Sequence, residues 1–367
     1  MKICMITLEN ARDKITWSGT PKNIIECMEE DNVEIVNLSY FKKIHHFGLG
    51  KIKNLANKIF YSYGDSFRDP FPFWYKLHSS FFQKEMTKYD VDAYVFMGEQ
   101  CIKSRDKLNG KIYVYLDRVI GEITQYDEDG RLLKSRFVEK YENNDKNSLA
   151  LMDHIFTLNE WSRDEIIARY GISPRKVTNV GFGVNLREYC GSKNYNNHKL
   201  MIVLRKGTEH YKGLDLLLEA FEIARNKVPD LTLHVVGTDY KKLDGVHYYY
   251  NLPREVTASL FQECALYVMP ALLEPNGITY LEALANKTPV IGLNRFAFPE
   301  FCGYGKYGFI VENDTAESVS SAIVDAFSNL NRLEKMGLEG QKFALEKYSW
   351  KATADKMLKI MKDDIGV

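Results

Sequence analysis

Two α/β domains, each a doubly wound parallel sheet flanked by helices, are what this sequence predicts, and three observations carry the prediction. The chain has 367 residues, too many for one ordinary core and enough for about two. Short, nearly continuous apolar runs rich in β-branched and aromatic residues alternate with segments of helical period. Near the middle, Cys190 to Lys199 reads CGSKNYNNHK, polar and without an apolar period, which marks a linker.

Taken in order, the strand candidates of the first half are 2–8, 33–38, 91–98, 111–117, 154–159 and 176–183. Their apolar character is too continuous for a sheet with one wet face, so parallel strands covered on both faces are expected. In the second half a strand at 199–206 leads into 213–228, where apolar residues recur at helical spacing. Strands at 231–237 and 246–250 follow, then a helix opened by Pro253, a strand at 266–270, a helix after Gly277 and a strand at 289–293. Such alternation implies right-handed crossovers and Rossmann-like domains. The expected division is an N-terminal domain over 1–190, a linker over 191–199, a second domain over 200–345, and an amphipathic C-terminal helix over 346–367 whose address stays open, packing back on the N-terminal domain being one option. Ligands of such sheets bind outside the carboxyl ends of the strands, so the expected site is a deep cleft between two facing domains.

Composition narrows the function. Lys plus Arg and Asp plus Glu number 49 each, which removes a global basic field and with it the usual argument for nucleic acid. The six cysteines are scattered, with no pair and no Cys/His cluster at zinc spacing, as in a reducing compartment. No window of apolar residues is long enough to span a bilayer, and MKICMITLEN lacks the apolar length and cleavage site of a signal peptide. A cytoplasmic protein is expected.

The most informative stretch is Met269 to Gly292, MPALLEPNGITYLEALANKTPVIG. Gly277 permits close approach of a ligand to the backbone, and the N–H groups of Gly277, Ile278 and Thr279 would open the next helix as an anion site suited to a phosphate. Helix electrostatics alone would explain Glu274 at that terminus but not Glu282 well inside the helix. Carboxylates on both sides of a bound phosphate would accept hydrogen bonds from the hydroxyls of a nucleotide-sugar. Upstream, Arg205 leaves a strand and Lys212-Gly213 opens a helix in VLRKGTEHYKGLDLLLEAF.

These residues resemble the signature of retaining glycosyltransferases of the GT-B fold, most closely family 4. The resemblance implies that Glu274 contacts the transferred sugar, that Gly277, Ile278 and Thr279 lie along the diphosphate with the Asn276 side chain in the donor's neighbourhood, and that Glu282 binds the ribose. It implies that Arg205 and Lys212 neutralise the leaving diphosphate in place of a metal ion, and that the main chain around Asn251 and Leu252 meets the nucleobase. Segments 157–185 and 307–327 match in order as well, so the likeness covers most of 154–350 and is looser over 1–153. Asn276 stands where the family often has an aromatic or small residue.

Two departures lie in the first half. The family's Gly-rich loop after the first strand is here WSGTP, in which Gly19 and Thr20 either contact phosphate or acceptor or form a plain turn. The family's His at the end of a central strand is replaced by Asp117, which either serves the donor and acceptor hydroxyls or caps a helix. No covalent nucleophile can be named, and front-face and double-displacement routes stay open. Asp127-Glu128-Asp129 looks like a metal-binding Asp-x-Asp pair but ends in Asp-Gly, a turn signal. The stretch 42–60 is rich in lysine without an acid, and 60–82 is rich in aromatics, which suits an acceptor surface, a patch lying on anionic membrane, or helices covering the sheet. The resemblance thus implies a metal-independent, cofactor-free transferase using a UDP- or GDP-linked sugar and a saccharide or lipid-linked acceptor. A nucleotide-sugar epimerase or hydrolase on the same fold, and a silent sugar-nucleotide-binding subunit, are the rival readings.

Overall fold

The computed structural model describes residues 1–7, 9–39, 79–80, 82–98, 102–117, 135–183 and 188–367. The chain forms two units, Met1–Gly183 with Trp350–Val367, and Val184–Ser349. The lysine- and aromatic-rich stretch of 40–78 and the Asp127 turn lie outside the described residues.

In the first unit six strands, β1 (Lys2–Thr7), β2 (Glu34–Ser39), β3 (Ala93–Met97), β4 (Lys111–Leu116), β5 (His154–Thr157) and β6 (Val177–Asn179), form one sheet in the order β2-β1-β3-β4-β5-β6. Every pairing is parallel, with Ile3 opposite both Ile35 and Ala93. The inner strands β3 and β5 are buried throughout, whereas edge strand β2 is mostly half-buried, which is why the inner runs read as continuously apolar. Helices α1 (Thr20–Glu30), α2 (Ser135–Ala150) and α3 (Glu160–Tyr170) follow β1, β4 and β5. The Asn159 side chain caps α3 by accepting from the Ser162 amide at 2.7 Å, and Gly171, at φ 66°, ends it.

The second unit repeats the plan. Strands β7 (Lys199–Val203), β8 (Thr232–Val236), β9 (Val246–Tyr249), β10 (Leu266–Val268), β11 (Val290–Leu293) and β12 (Gly308–Val311) form a parallel sheet in the order β12-β11-β10-β7-β8-β9. Helices α4 (Leu214–Arg225), α5 (Arg254–Glu263), α6 (Ile278–Ala285), α7 (Phe298–Phe301), α8 (Ala316–Ser328) and α9 (Leu330–Lys347) lie between and after them. The apolar ladder of α4, Leu214, Leu217, Leu218 and Phe221, is buried, and α8 packs beside it. Strand β12 was not among the sequence-derived strands. It closes on β11 because Gly308 has no side chain: a Cβ there would stand 2.3 Å from the Val290 carbonyl oxygen. The stretch read as a linker is packed into this unit, with Tyr195 buried at 7% exposure. The last helix, α10 (Trp350–Ile365), belongs to the first unit and packs on α1.

Among the described residues no helix is long and apolar enough to cross a membrane, and no three His, Cys, Asp or Glu side chains gather as a metal site.

Candidate active site

In the second sheet β7 and β10 are neighbours, yet the strands after β7 extend the sheet one way and those after β10 the other. A sheet that reverses in this way leaves room outside the carboxyl ends of the two strands at the reversal. The loops that leave those ends are 204–213 and 269–277.

Backbone contacts press the two loops together. The amides of Leu272 and Leu273 donate to the Tyr211 carbonyl at 2.8 and 3.0 Å. Gly213, at φ 77°, caps α4, and a Cβ on it would lie 2.0 Å from the Pro270 carbonyl oxygen. The Lys-Gly pair is therefore required in part by steric fit. Its consequence is that the Lys212 ammonium meets the Glu274 carboxylate, with the two side chains 20% and 16% exposed.

The same carboxylate turns toward α6. Glu274 Oε1 accepts from the amides of Gly277 at 2.9 Å and Asn276 at 3.3 Å. Gly277 adopts φ 46°, and a Cβ there would sit 2.5 Å from the Tyr280 ring, whose hydroxyl donates to the Met269 carbonyl at 2.5 Å. The Gly277 N–H thus donates to the protein's own Glu274 carboxylate. The Ile278 and Thr279 amides lie in the first turn, where the helix supplies no acceptor. The Thr279 hydroxyl accepts from Tyr267 at 2.7 Å.

Burial, and after it the Arg205 charge, push the Lys212 ammonium down to about 8. Arg205 itself is exposed at the end of β7, its backbone held by Thr208, whose hydroxyl donates to the Arg205 carbonyl at 2.7 Å. Glu282 lies half-buried on α6, near enough to the Tyr267 phenol to raise its pKa alongside burial. Asn251 and Leu252 leave the edge strand β9 just before α5, with Asn251 in the left-handed region at φ 60°. Beside them the Lys206 ammonium lies 5.3 Å from the centre of the exposed Tyr250 ring and 3.3 Å from Asp239.

The remaining candidates belong to the first unit. Gly19, at φ 82°, ends the turn Thr16–Gly19 and caps α1, and Thr20 is buried in the first turn of that helix. Trp17 and Ser18 are also left-handed, and the Trp17 ring lies 5.5 Å from Tyr115. Asp117 follows β4; the Ser162 hydroxyl donates to its carbonyl at 3.1 Å. Its carboxylate adds to burial in raising the phenol of Tyr115, which donates to the Gly181 carbonyl.

Three parts of the site escape sequence reasoning: the Tyr211 carbonyl, the Tyr280 hydroxyl and the Tyr267 hydroxyl. The only available signal was that a Tyr inside an apolar helix pattern needs a partner for its hydroxyl.

Residues 191–343 match the family described as Glycosyl transferases group 1. The matched segment contains Arg205, Lys212, Glu274, Gly277 and Glu282, so the constellation falls wholly inside it. A GDP-mannose-dependent alpha-(1-6)-phosphatidylinositol monomannoside mannosyltransferase of Mycolicibacterium smegmatis is 25% identical over 169 residues, 41% of this chain and 44% of that protein. A probable sucrose-phosphate synthase of Thermosipho melanesiensis is 28% identical over 207 residues, 56% of this chain and 43% of that protein. The matches thus span less than half the length of these two relatives. The solved sucrose-phosphate synthase of Thermosynechococcus elongatus superposes with a TM-score of 0.70 at 15% identity, covering 100% of this chain and 99% of that one, which establishes the GT-B fold.

Proposed function

We propose that this chain is a retaining, metal-independent glycosyltransferase that moves a sugar from a nucleoside diphosphate sugar to a saccharide or lipid-linked glycan. The observation that carries the reading is the meeting of Lys212, Glu274 and the Gly277 turn at the sheet reversal within the segment that matches Glycosyl transferases group 1. An anion already occupies that corner, in the form of the Glu274 carboxylate. A donor diphosphate would replace it against Lys212 and the Gly277, Ile278 and Thr279 amides, freeing Glu274 to accept hydrogen bonds from the hydroxyls of the transferred sugar.

The chemistry follows from charge. As the glycosidic bond breaks, the departing diphosphate gains negative charge, and fixed cations stabilise it more in the transition state than in the bound donor. Lys212 supplies such a cation from a largely buried position and Arg205 supplies a second from the rim, which is the basis for proposing that no metal ion is needed. Glu282 would accept from the ribose, Asn276 would face the donor near the sugar, and the backbone at Asn251 and Leu252 would read the base. Gly19 and Thr20 would contact the donor phosphate or the acceptor, and Asp117 would orient a donor sugar hydroxyl or assist deprotonation of the acceptor. The name of the mannosyltransferase relative, GDP-mannose-dependent, favours a nucleotide-linked sugar as donor.

The test is transfer measured beside nucleotide binding. Glu274→Ala should keep nucleoside diphosphate binding within a few-fold and lose transfer by on the order of a hundredfold, the usual scale for a polar group acting on the reacting centre. A wild-type protein that binds nucleotide through Lys212 yet transfers to no acceptor in a broad saccharide and lipid-linked panel would sink the transferase reading.

A further inference from the structure

Resting on the donor-site reading, we infer that Lys193 is a positioning residue, a tethered monovalent cation that clamps the carboxyl ends of α5 and α6. Those two helices carry, at their opposite ends, the backbone proposed to read the base and the turn proposed to hold the diphosphate.

The last carbonyls of any helix lack intrahelical donors and carry the negative end of its dipole. Helix α5 ends at Glu263 and α6 at Ala285, with Asn286 as the capping residue of α6. The Lys193 ammonium donates to the Phe261 carbonyl at 2.6 Å and the Gln262 carbonyl at 3.1 Å, both in the last turn of α5. It also reaches the Asn286 carbonyl at 3.4 Å and the Thr288 hydroxyl at 2.8 Å, just past α6. The Thr288 hydroxyl in turn donates to the Phe261 carbonyl at 2.7 Å, so the two helix ends share one polar knot with the ammonium at its centre.

Neighbouring residues complete the knot from the same short stretch. Asn197 donates through Nδ2 to the Glu263 carbonyl at 2.6 Å, and the Tyr195 hydroxyl donates to the Lys287 carbonyl at 2.8 Å. The Lys287 ammonium returns a bond to the Gly191 carbonyl at 2.8 Å. Lys193 and Thr288 each reach the ends of both helices, and Lys193 alone of the two comes from outside them.

The leverage comes from helix length. Helices of 10 and 8 residues are too short to hold their orientation by themselves, so packing and end contacts set it. Asn251 and Leu252 precede the first turn of α5, and Gly277 caps α6. Fixing both far ends to one cation therefore fixes the span between the two donor-contacting ends.

Carbonyl and hydroxyl oxygens without a carboxylate form a set that suits a monovalent cation, because such oxygens replace its hydration shell without adding charge. Burial, with the Lys287 charge adding to it, pushes the Lys193 ammonium down to about 7, so the clamp is a cation below that pH and the measurements belong there. Removing the lysine stem should leave a cage that a free ammonium or potassium ion fills.

The experiment uses the full chain as Lys193→Ala and Lys193→Met, with UDP and GDP as probes, in ammonium or tetramethylammonium chloride at equal ionic strength. Lys193→Met should lose nucleotide affinity by on the order of tenfold, as for other residues that orient a site from behind it, with the loss appearing in donor KM more than in kcat. Lys193→Ala should show a higher Tm and tighter nucleotide binding in ammonium than in tetramethylammonium, and the wild type should show no such difference. Equal Tm and equal affinity of Lys193→Ala in the two salts would overturn the inference, as would wild-type nucleotide affinity in Lys193→Met. If the wild type binds neither UDP nor GDP, the UDP- or GDP-linked donor reading fails, and the ammonium-dependent Tm of Lys193→Ala still tests the clamp.

Discussion

At the scale of single residues, Gly213 ties the sheet reversal to the chemistry. Its φ of 77° and the 2.0 Å between a hypothetical Cβ and the Pro270 carbonyl oxygen leave no room for alanine. Gly213→Ala should cost about 1–3 kcal/mol of stability from backbone strain, with a further loss from the clash. Urea denaturation measures the stability, and nucleotide binding should weaken in parallel because Lys212 is displaced from Glu274. Wild-type stability would show that the two loops are not pressed together there. Glu274 and Gly277 were legible in the sequence because the turn they share acts within a few residues, whereas Lys212 and Gly213 were reached through the family resemblance, since their partners Glu274 and Pro270 lie far along the chain. The Tyr211 carbonyl was not, since a backbone oxygen leaves no trace in residue identity. Lys193 was hidden for another reason: a polar stretch without a period looks the same whether water or the ends of two helices satisfy it.

At the scale of elements, the strands declare themselves by burial, and errors fall at edges and ends. The run 176–183 was read as one strand, yet only Val177–Asn179 pairs, because the partner strand β5 stops at Thr157. Strand β12, four residues beginning at a glycine, is too short for a periodic signal. Edge strand β9 contributes a titration. Burial, then the charges of His247 and Lys199, push His234 on β8 down to about 4, and its Nδ1 lies 2.9 Å from the Tyr249 hydroxyl. The unfolded chain takes up this proton near pH 6.5, so between about pH 6.5 and 4 it binds more protons than the fold does. The stability held above that window is lost as pH falls through it. Thermal melts from about pH 7 to pH 4 should show His234→Gln losing Tm less steeply than the wild type; parallel declines would contradict the assignment.

At the scale of the whole molecule, length and alternation foretold two α/β domains, but the strand orders depend on pairings between residues far apart in the chain. The return of the chain to its first unit through α10 likewise depends on which apolar stripe meets which. Ala354, Met357, Leu358 and Met361 of α10 are buried, as are Ile24, Ile25 and Met28 of α1. Burial of a Met or Leu side chain contributes about 1.5–3 kcal/mol, so deleting 350–367 should lower the unfolding transition of the first unit and spare that of the second. Calorimetry separates the two, and unchanged transitions would contradict the packing. The central claim concerns what the second unit binds, and isothermal titration of UDP, GDP, ADP and their sugars into the wild type and Lys212→Ala tests it most directly. At least one nucleoside diphosphate should bind the wild type, and Lys212→Ala should bind it at least about tenfold more weakly, as expected when a charge-assisted contact to phosphate is removed. No binding to the wild type, or equal binding to both proteins, would contradict the account.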